Sequence, residues 1–140
     1  MTCSRIPASG PVGLLLVDDD ARVRAAIGQT IALETGLVLV ADAADAATAL
    51  AAVLSLVACT GSLVALVDVL IPDEITGLTL VRSLSQRPDW SVVAMSVRDD
   101  LRPAALAAGA AAFVGKGAGI DAILEVIRAA GRDGGMDPTS

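Results

Sequence analysis

Five polar residues stand where this chain could do chemistry. Asp18 and Asp19 follow the apolar run Gly13–Val17, and Asp68 follows the apolar run Leu63–Val67. Ser96 follows Ser91–Met95, and Lys116 closes the small-residue stretch that begins at Gly109. A short apolar run that breaks into an acid reads as a buried strand reaching a polar edge. If the first and third strands are neighbours, three carboxylates converge in one crevice. Like charges a few ångströms apart are costly without a compensating cation. Carboxylate oxygens suit Mg2+ or a similar hard ion. A carboxylate beside such an ion can attack a phosphoryl group. A lysine and a hydroxyl opposite it can bind the transferred oxygens. The set has the parts for forming an aspartyl phosphate.

The elements that must hold these residues alternate along the chain. Strands are expected at Gly13–Val17, Leu37–Val40, Leu63–Val67, Ser91–Met95 and Ala111–Val114. Helices are expected at Ala21–Glu34, Ala44–Ala58, Gly77–Ser85, Leu101–Ala108 and Ile120–Ala130. Asp20 reads as the N-cap of the first helix. Its inward face is read as Val23, Ile27, Ile31 and Leu33, and that of the second helix as Leu50, Val53, Leu54 and Val57. The last helix is read as turning Ile120, Ile123, Leu124 and Ile127 inward. Strands each followed by a helix imply a parallel sheet covered on both faces. Ligands of such sheets bind beyond the carboxyl ends of the strands, where the five polar residues stand.

Composition narrows the function further. The chain has 140 residues, one domain's worth, and 54% of them are hydrophobic. Residues 1–11 read as a flexible lead-in, residues 12–130 as the domain and residues 131–140 as a linker or tail. Trp90 and Phe113 are the only aromatic residues, which argues against base-stacking nucleic-acid modules. Net charge is −6, so the chain by itself should repel DNA and anionic membrane. It has no histidine, which excludes histidine catalysis, histidine metal sites and phosphohistidine on this chain. Cys3 and Cys59 fit reduced thiols better than a disulfide framework. Ala46–Val67 is 22 residues without a charge, long enough to span a bilayer. However, Cys59–Ser62 reads as a turn, and no basic cluster flanks the stretch. The expectation is a cytoplasmic protein that does not cross a membrane. The run Gly109–Gly117 is no phosphate loop, because Gly117 stands where Ser or Thr would be needed.

Leu16-Val17-Asp18-Asp19, Val67-Asp68 with Pro72, Ala94-Met95-Ser96 and Phe113-Val114-Gly115-Lys116 together resemble the motifs of the response-regulator receiver domain of two-component signalling. Each is weak alone; in this order, each at a strand end, they are specific. The resemblance covers about residues 12–130. It implies a flavodoxin-like (βα)5 domain with strand order 2-1-3-4-5. It implies Asp68 as phosphoacceptor, with Mg2+ held by Asp18, Asp19, Asp68 and the Leu70 carbonyl. Ser96 would be the switch hydroxyl, Lys116 the phosphate-binding lysine and Phe113 the aromatic switch. The resemblance also implies a sensor histidine kinase as donor and a homodimer face on helix 4, strand 5 and helix 5. The role is that of a signalling acceptor rather than an enzyme, and Gly117 after Lys116 points to the subfamily with helix-turn-helix DNA-binding output.

The acidic run leaves the register open by one residue. Asp18 and Asp19 are chosen because Val23-Arg24 then falls where the family has an apolar-Arg pair. Gly77 stands five residues after Pro72 where the family has four, so the loop beside Asp68 is longer. That loop motivates the alternative of a pseudo-receiver, an interaction module that is not phosphorylated. An aspartate-nucleophile phosphatase would need an acid two residues after Asp68, and Leu70 stands there.

Overall fold

The computed structural model describes residues 10–56 and 61–135. Five strands alternate with five helices: β1 (Val12–Val17), α1 (Ala21–Leu33), β2 (Leu37–Ala43), α2 (Ala46–Ser55), β3 (Leu63–Asp68), α3 (Glu74–Ser85), β4 (Trp90–Ser96), α4 (Arg102–Ala107), β5 (Ala112–Gly115) and α5 (Ile120–Gly135). A 3-10 turn at Asp99–Leu101 leads into α4. The sheet is parallel with order β2-β1-β3-β4-β5, the flavodoxin-like order that the resemblance implies.

Local chemistry starts the helices. The side chains of Asp20, Asp45 and Asp73 accept from the backbone N–H of Arg22, Thr48 and Thr76, capping α1, α2 and α3. Because α3 starts at its Asp73 cap, it begins three residues before the expected Gly77. Strand alternation then divides the interior. Leu14 and Leu16 of β1 pack with Ile27, Ile31, Ile123 and Ile127 beneath α1 and α5. Leu15 and Val17 pack with Val53, Val81, Leu84 and Trp90 on the side of α2, α3 and α4.

Several inward-facing expectations fail. Leu33 is 86% exposed and Leu54 is 61% exposed, while Leu50 and Ile120 lie at the surface margin. Ala49 and Ala52 turn inward on α2 instead. Small residues let the helix sit close to the sheet, and close packing rewards fit over side-chain size. Strand β2 runs three residues beyond its expected end, carried through an irregularity in its pairing with β1 between Leu14 and Leu15. Helix α5 runs five residues beyond Ala130, and a Cβ on Gly131 would lie 2.5 Å from Val12 Cγ2. The start of β1 and the end of α5 therefore pack in close contact. Among the described residues no helix is long and apolar enough to cross a membrane. Val57, Cys3, Cys59 and nearly all of the expected lead-in lie outside the described residues, as do residues 136–140 of the expected tail.

Candidate metal and phosphoryl site

All five polar residues reach the carboxyl edge of the sheet, and β1 and β3 are neighbours as the chemistry requires. Asp18 lies just past β1 and is fully buried. Its N–H donates to Ala43 O at 3.0 Å, and its Oδ1 accepts from Asp20 N at 2.8 Å. Its carbonyl accepts from Arg24 Nη1 at 2.7 Å. Its Oδ2 makes no hydrogen bond but sits 2.7 Å from Lys116 Nζ, an ion-pair contact.

Asp68 ends β3 and is 5% exposed. Its Oδ1 accepts from Leu70 N at 3.0 Å, and its Oδ2 accepts from Lys116 Nζ at 2.9 Å. Leu70 is thus brought to the site through its N–H. Asp19 is exposed at the mouth, and the carboxylates of Asp18, Asp19 and Asp68 offer oxygens within 4.8 Å of one another. Lys116, the only lysine in the sequence, bridges the two buried acids. Ser96 at the end of β4 is fully buried, and its Oγ accepts from Arg98 N at 3.0 Å. Asp20 lies outside the cluster and caps α1.

The electrostatics are unbalanced. Burial pushes the Asp68 carboxyl above its ordinary value, and the neighbouring Asp18 charge adds to this. Lys116 and the Leu70 N–H oppose the rise without cancelling it. Burial also works against the Lys116 charge, but the two carboxylates outweigh it and hold the ammonium above its ordinary value. One ammonium contacts the two buried carboxylates, and a third, Asp19, lies beside them. This excess of acid fits a hard divalent cation, which takes several oxygen ligands.

Phe113 is placed differently. It pairs with Ala94, two residues before Ser96, and packs in the core on the α4 side. Arg102 lies over its ring, with Cζ 4.8 Å from the centroid, and donates from Nη1 to its carbonyl at 3.3 Å. The aromatic residue is thus beside the carboxylate cluster rather than in it.

Two contributors were not legible as such. A Cβ on Gly77 would lie 1.5 Å from the Val69 carbonyl oxygen. Only glycine lets α3 approach the segment that follows Asp68, and the longer loop still delivers this contact. Arg24 served only to set the register, yet it grips the Asp18 backbone. Its position carried a signal: a cation near a helix N-terminus opposes the helix dipole, so it calls for a specific partner.

The model of the family described as response regulator receiver domain matches residues 14–128. No curated protein matches the chain by sequence. Among solved structures, the response regulator domain of Thermotoga maritima CheB is 23% identical, with a TM-score of 0.73 over 91% of this chain and 99% of that one. A DNA-binding response regulator of the LuxR family from Staphylococcus aureus is 20% identical, with a TM-score of 0.73 over 85% of this chain and 98% of that one. The CheX-CheY-BeF3-Mg2+ complex from Borrelia burgdorferi is 22% identical, with a TM-score of 0.66 over 86% of this chain and 87% of that one.

Proposed function

The chain belongs to the response regulator receiver domain family, and from that premise we propose that it accepts a phosphoryl group on Asp68 from a sensor histidine kinase. The observation that carries this reading is the buried pair Asp18 and Asp68 bridged by Lys116, with more acid than one ammonium can neutralise. Asp18, Asp19, Asp68 and the Leu70 carbonyl would hold Mg2+. When bound, the ion offsets the acidic cluster and the charge of the phosphoryl oxygens. The Borrelia burgdorferi neighbour contains BeF3 and Mg2+ in the same fold, which supports this ligand class.

In the proposed step an Asp68 carboxylate oxygen attacks the phosphorus of the donor's phosphohistidine. The new P–O bond forms as the P–N bond breaks. The electron pair leaves on the imidazole nitrogen, which takes a proton from solvent. Lys116, already on Asp68 Oδ2, is placed to follow the oxygens onto the phosphoryl group. Ser96 accepts from Arg98 N with its oxygen and keeps its O–H to donate to the same group. That pull on β4 would reach Phe113 through the β4–β5 pairing and alter the face formed by α4, β5 and α5, which we read as a dimer or partner surface. The chain acts here as a stoichiometric signal acceptor in the cytoplasm rather than as a turnover enzyme. The LuxR-family neighbour favours transcription as the output, through a DNA-binding part other than this acidic domain.

The test is intact-protein mass after incubation with Mg2+ and acetyl phosphate. The expected result is a Mg2+-dependent gain of one phosphoryl group that disappears completely in Asp68→Asn. Persistent labelling of that variant would move the acceptor elsewhere. A folded wild-type chain that gains nothing and binds no Mg2+ would favour the pseudo-receiver reading.

A further inference from the structure

We propose that Arg24 is a positioning residue for the divalent cation, acting through the Asp18 carbonyl. The proposal rests on the reading of the acidic cleft as a Mg2+ site. The Asp18 carbonyl belongs to the peptide that joins the two leading acids, so its orientation sets the direction in which Asp19 leaves the strand. The remaining polar contacts of Asp18 run to β2, to the α1 cap and to Lys116. None of them fixes that carbonyl; Arg24 Nη1 does, at 2.7 Å. This is the short end of the range for a charged donor. Arg24 is one turn into α1, so the same bond ties the acidic turn to a rigid element.

The rest of the surroundings gives Arg24 no other role. Among the described residues it forms no ion pair with a carboxylate. It is half-buried rather than extended into solvent. Its helix position is electrostatically unfavourable, so the carbonyl bond is its evident compensation.

Charge and positioning predict opposite signs, which makes the idea testable. A guanidinium near the cleft repels a dication, so charge alone predicts tighter Mg2+ binding when Arg24 is removed. Positioning predicts weaker binding. Isothermal titration calorimetry with Mg2+ on the full chain, on Arg24→Ala and on Arg24→Lys decides between them, with folding checked by circular dichroism. Loss of a charge-assisted hydrogen bond corresponds to a dissociation constant about tenfold higher in Arg24→Ala. Lysine keeps the charge and can reach the carbonyl with a less ordered donor, so Arg24→Lys should bind about threefold more weakly than wild type.

A second readout separates positioning from general damage. The Mg2+ concentration that half-saturates acetyl-phosphate labelling should rise with the dissociation constant. The extent of labelling at saturating Mg2+ should hold, and the rise in midpoint should exceed what the unfolded fraction alone would cause. Partial unfolding raises the apparent dissociation constant only in inverse proportion to the fraction folded without Mg2+, a fraction that denaturant unfolding measures. If Arg24→Ala fails to fold, Arg24→Lys carries the test. Unchanged or tighter Mg2+ binding in a folded variant overturns the proposal. Absence of Mg2+ binding by the wild-type chain overturns the underlying site reading and the role of Arg24 with it, a failure visible before any variant is measured.

Discussion

The two edges of the sheet use ion pairs in opposite ways. At the amino edge, Arg128 Nη2 meets Glu34 Oε1 at 2.9 Å while Nη1 donates to Thr35 O at 2.9 Å. One cation faces one anion there, and both side chains are about a third exposed. At the carboxyl edge, Lys116 is 20% exposed and faces two carboxylates that are almost wholly buried, with Asp19 beside them. The first arrangement is balanced and holds elements together. The second is unbalanced, with more acid than the one ammonium offsets, and like charges held this close cost stability. Local charge stoichiometry, rather than the count of ion pairs, therefore separates scaffold from site.

The contrast can be broken most severely by steric means at the carboxyl edge. Gly77→Ala places a methyl group inside the Val69 carbonyl, so α3 or the loop must move. The expected loss is about 3 kcal/mol, or roughly 10 °C in Tm, read by thermal unfolding. Lys116→Ala comes next. It leaves two buried carboxylates facing each other, and the expected loss at pH 7 without Mg2+ is about 2 kcal/mol. Added Mg2+ should restore more of that stability than it adds to the wild type. An unchanged Mg2+ response would weaken the claim that the edge awaits a cation.

The pH dependence of the wild type sharpens the same point. Lys116 binds its proton more tightly when folded, so its contribution is complete below the ordinary value of 10.5 and is lost as pH rises through the higher folded value. Stability should therefore fall on the alkaline side, and Lys116→Ala should flatten that fall. The smallest effect belongs to the amino edge. Glu34→Gln removes a pair that is about a third exposed and should cost at most about 1 kcal/mol. Its labelling by acetyl phosphate should be unaltered.

The sequence announced most of the site because strand ends are legible. A buried parallel strand is a largely apolar run, and the polar residue that follows it marks the edge. Asp18, Asp68, Ser96 and Lys116 were readable in that way. Helix faces were less so. Leu33 and Leu54 looked like core by hydropathy but are exposed, while Ala49 and Ala52 took the interior. Hydropathy ranks side chains by size and polarity, whereas the sheet selects those that let a helix approach it. Gly77 and Arg24 could be placed against the family's pattern, but the contacts they make could not be read from it. Their work lies in contacts with backbone atoms, and no residue pattern encodes which carbonyl a distant side chain will meet.

Trp90 begins β4 while Ser96 ends it. Six steps along a strand put the indole roughly 20 Å from the carboxyl edge. It is the sole tryptophan, the chain has no tyrosine, and the indole is 7% exposed within the core. Its emission should therefore report loss of the native core as a single clean transition. It should also be nearly blind to cation binding or acyl-phosphate formation at the other end of the strand. One fluorescence channel should then track denaturation while a probe placed near Asp19 follows the site.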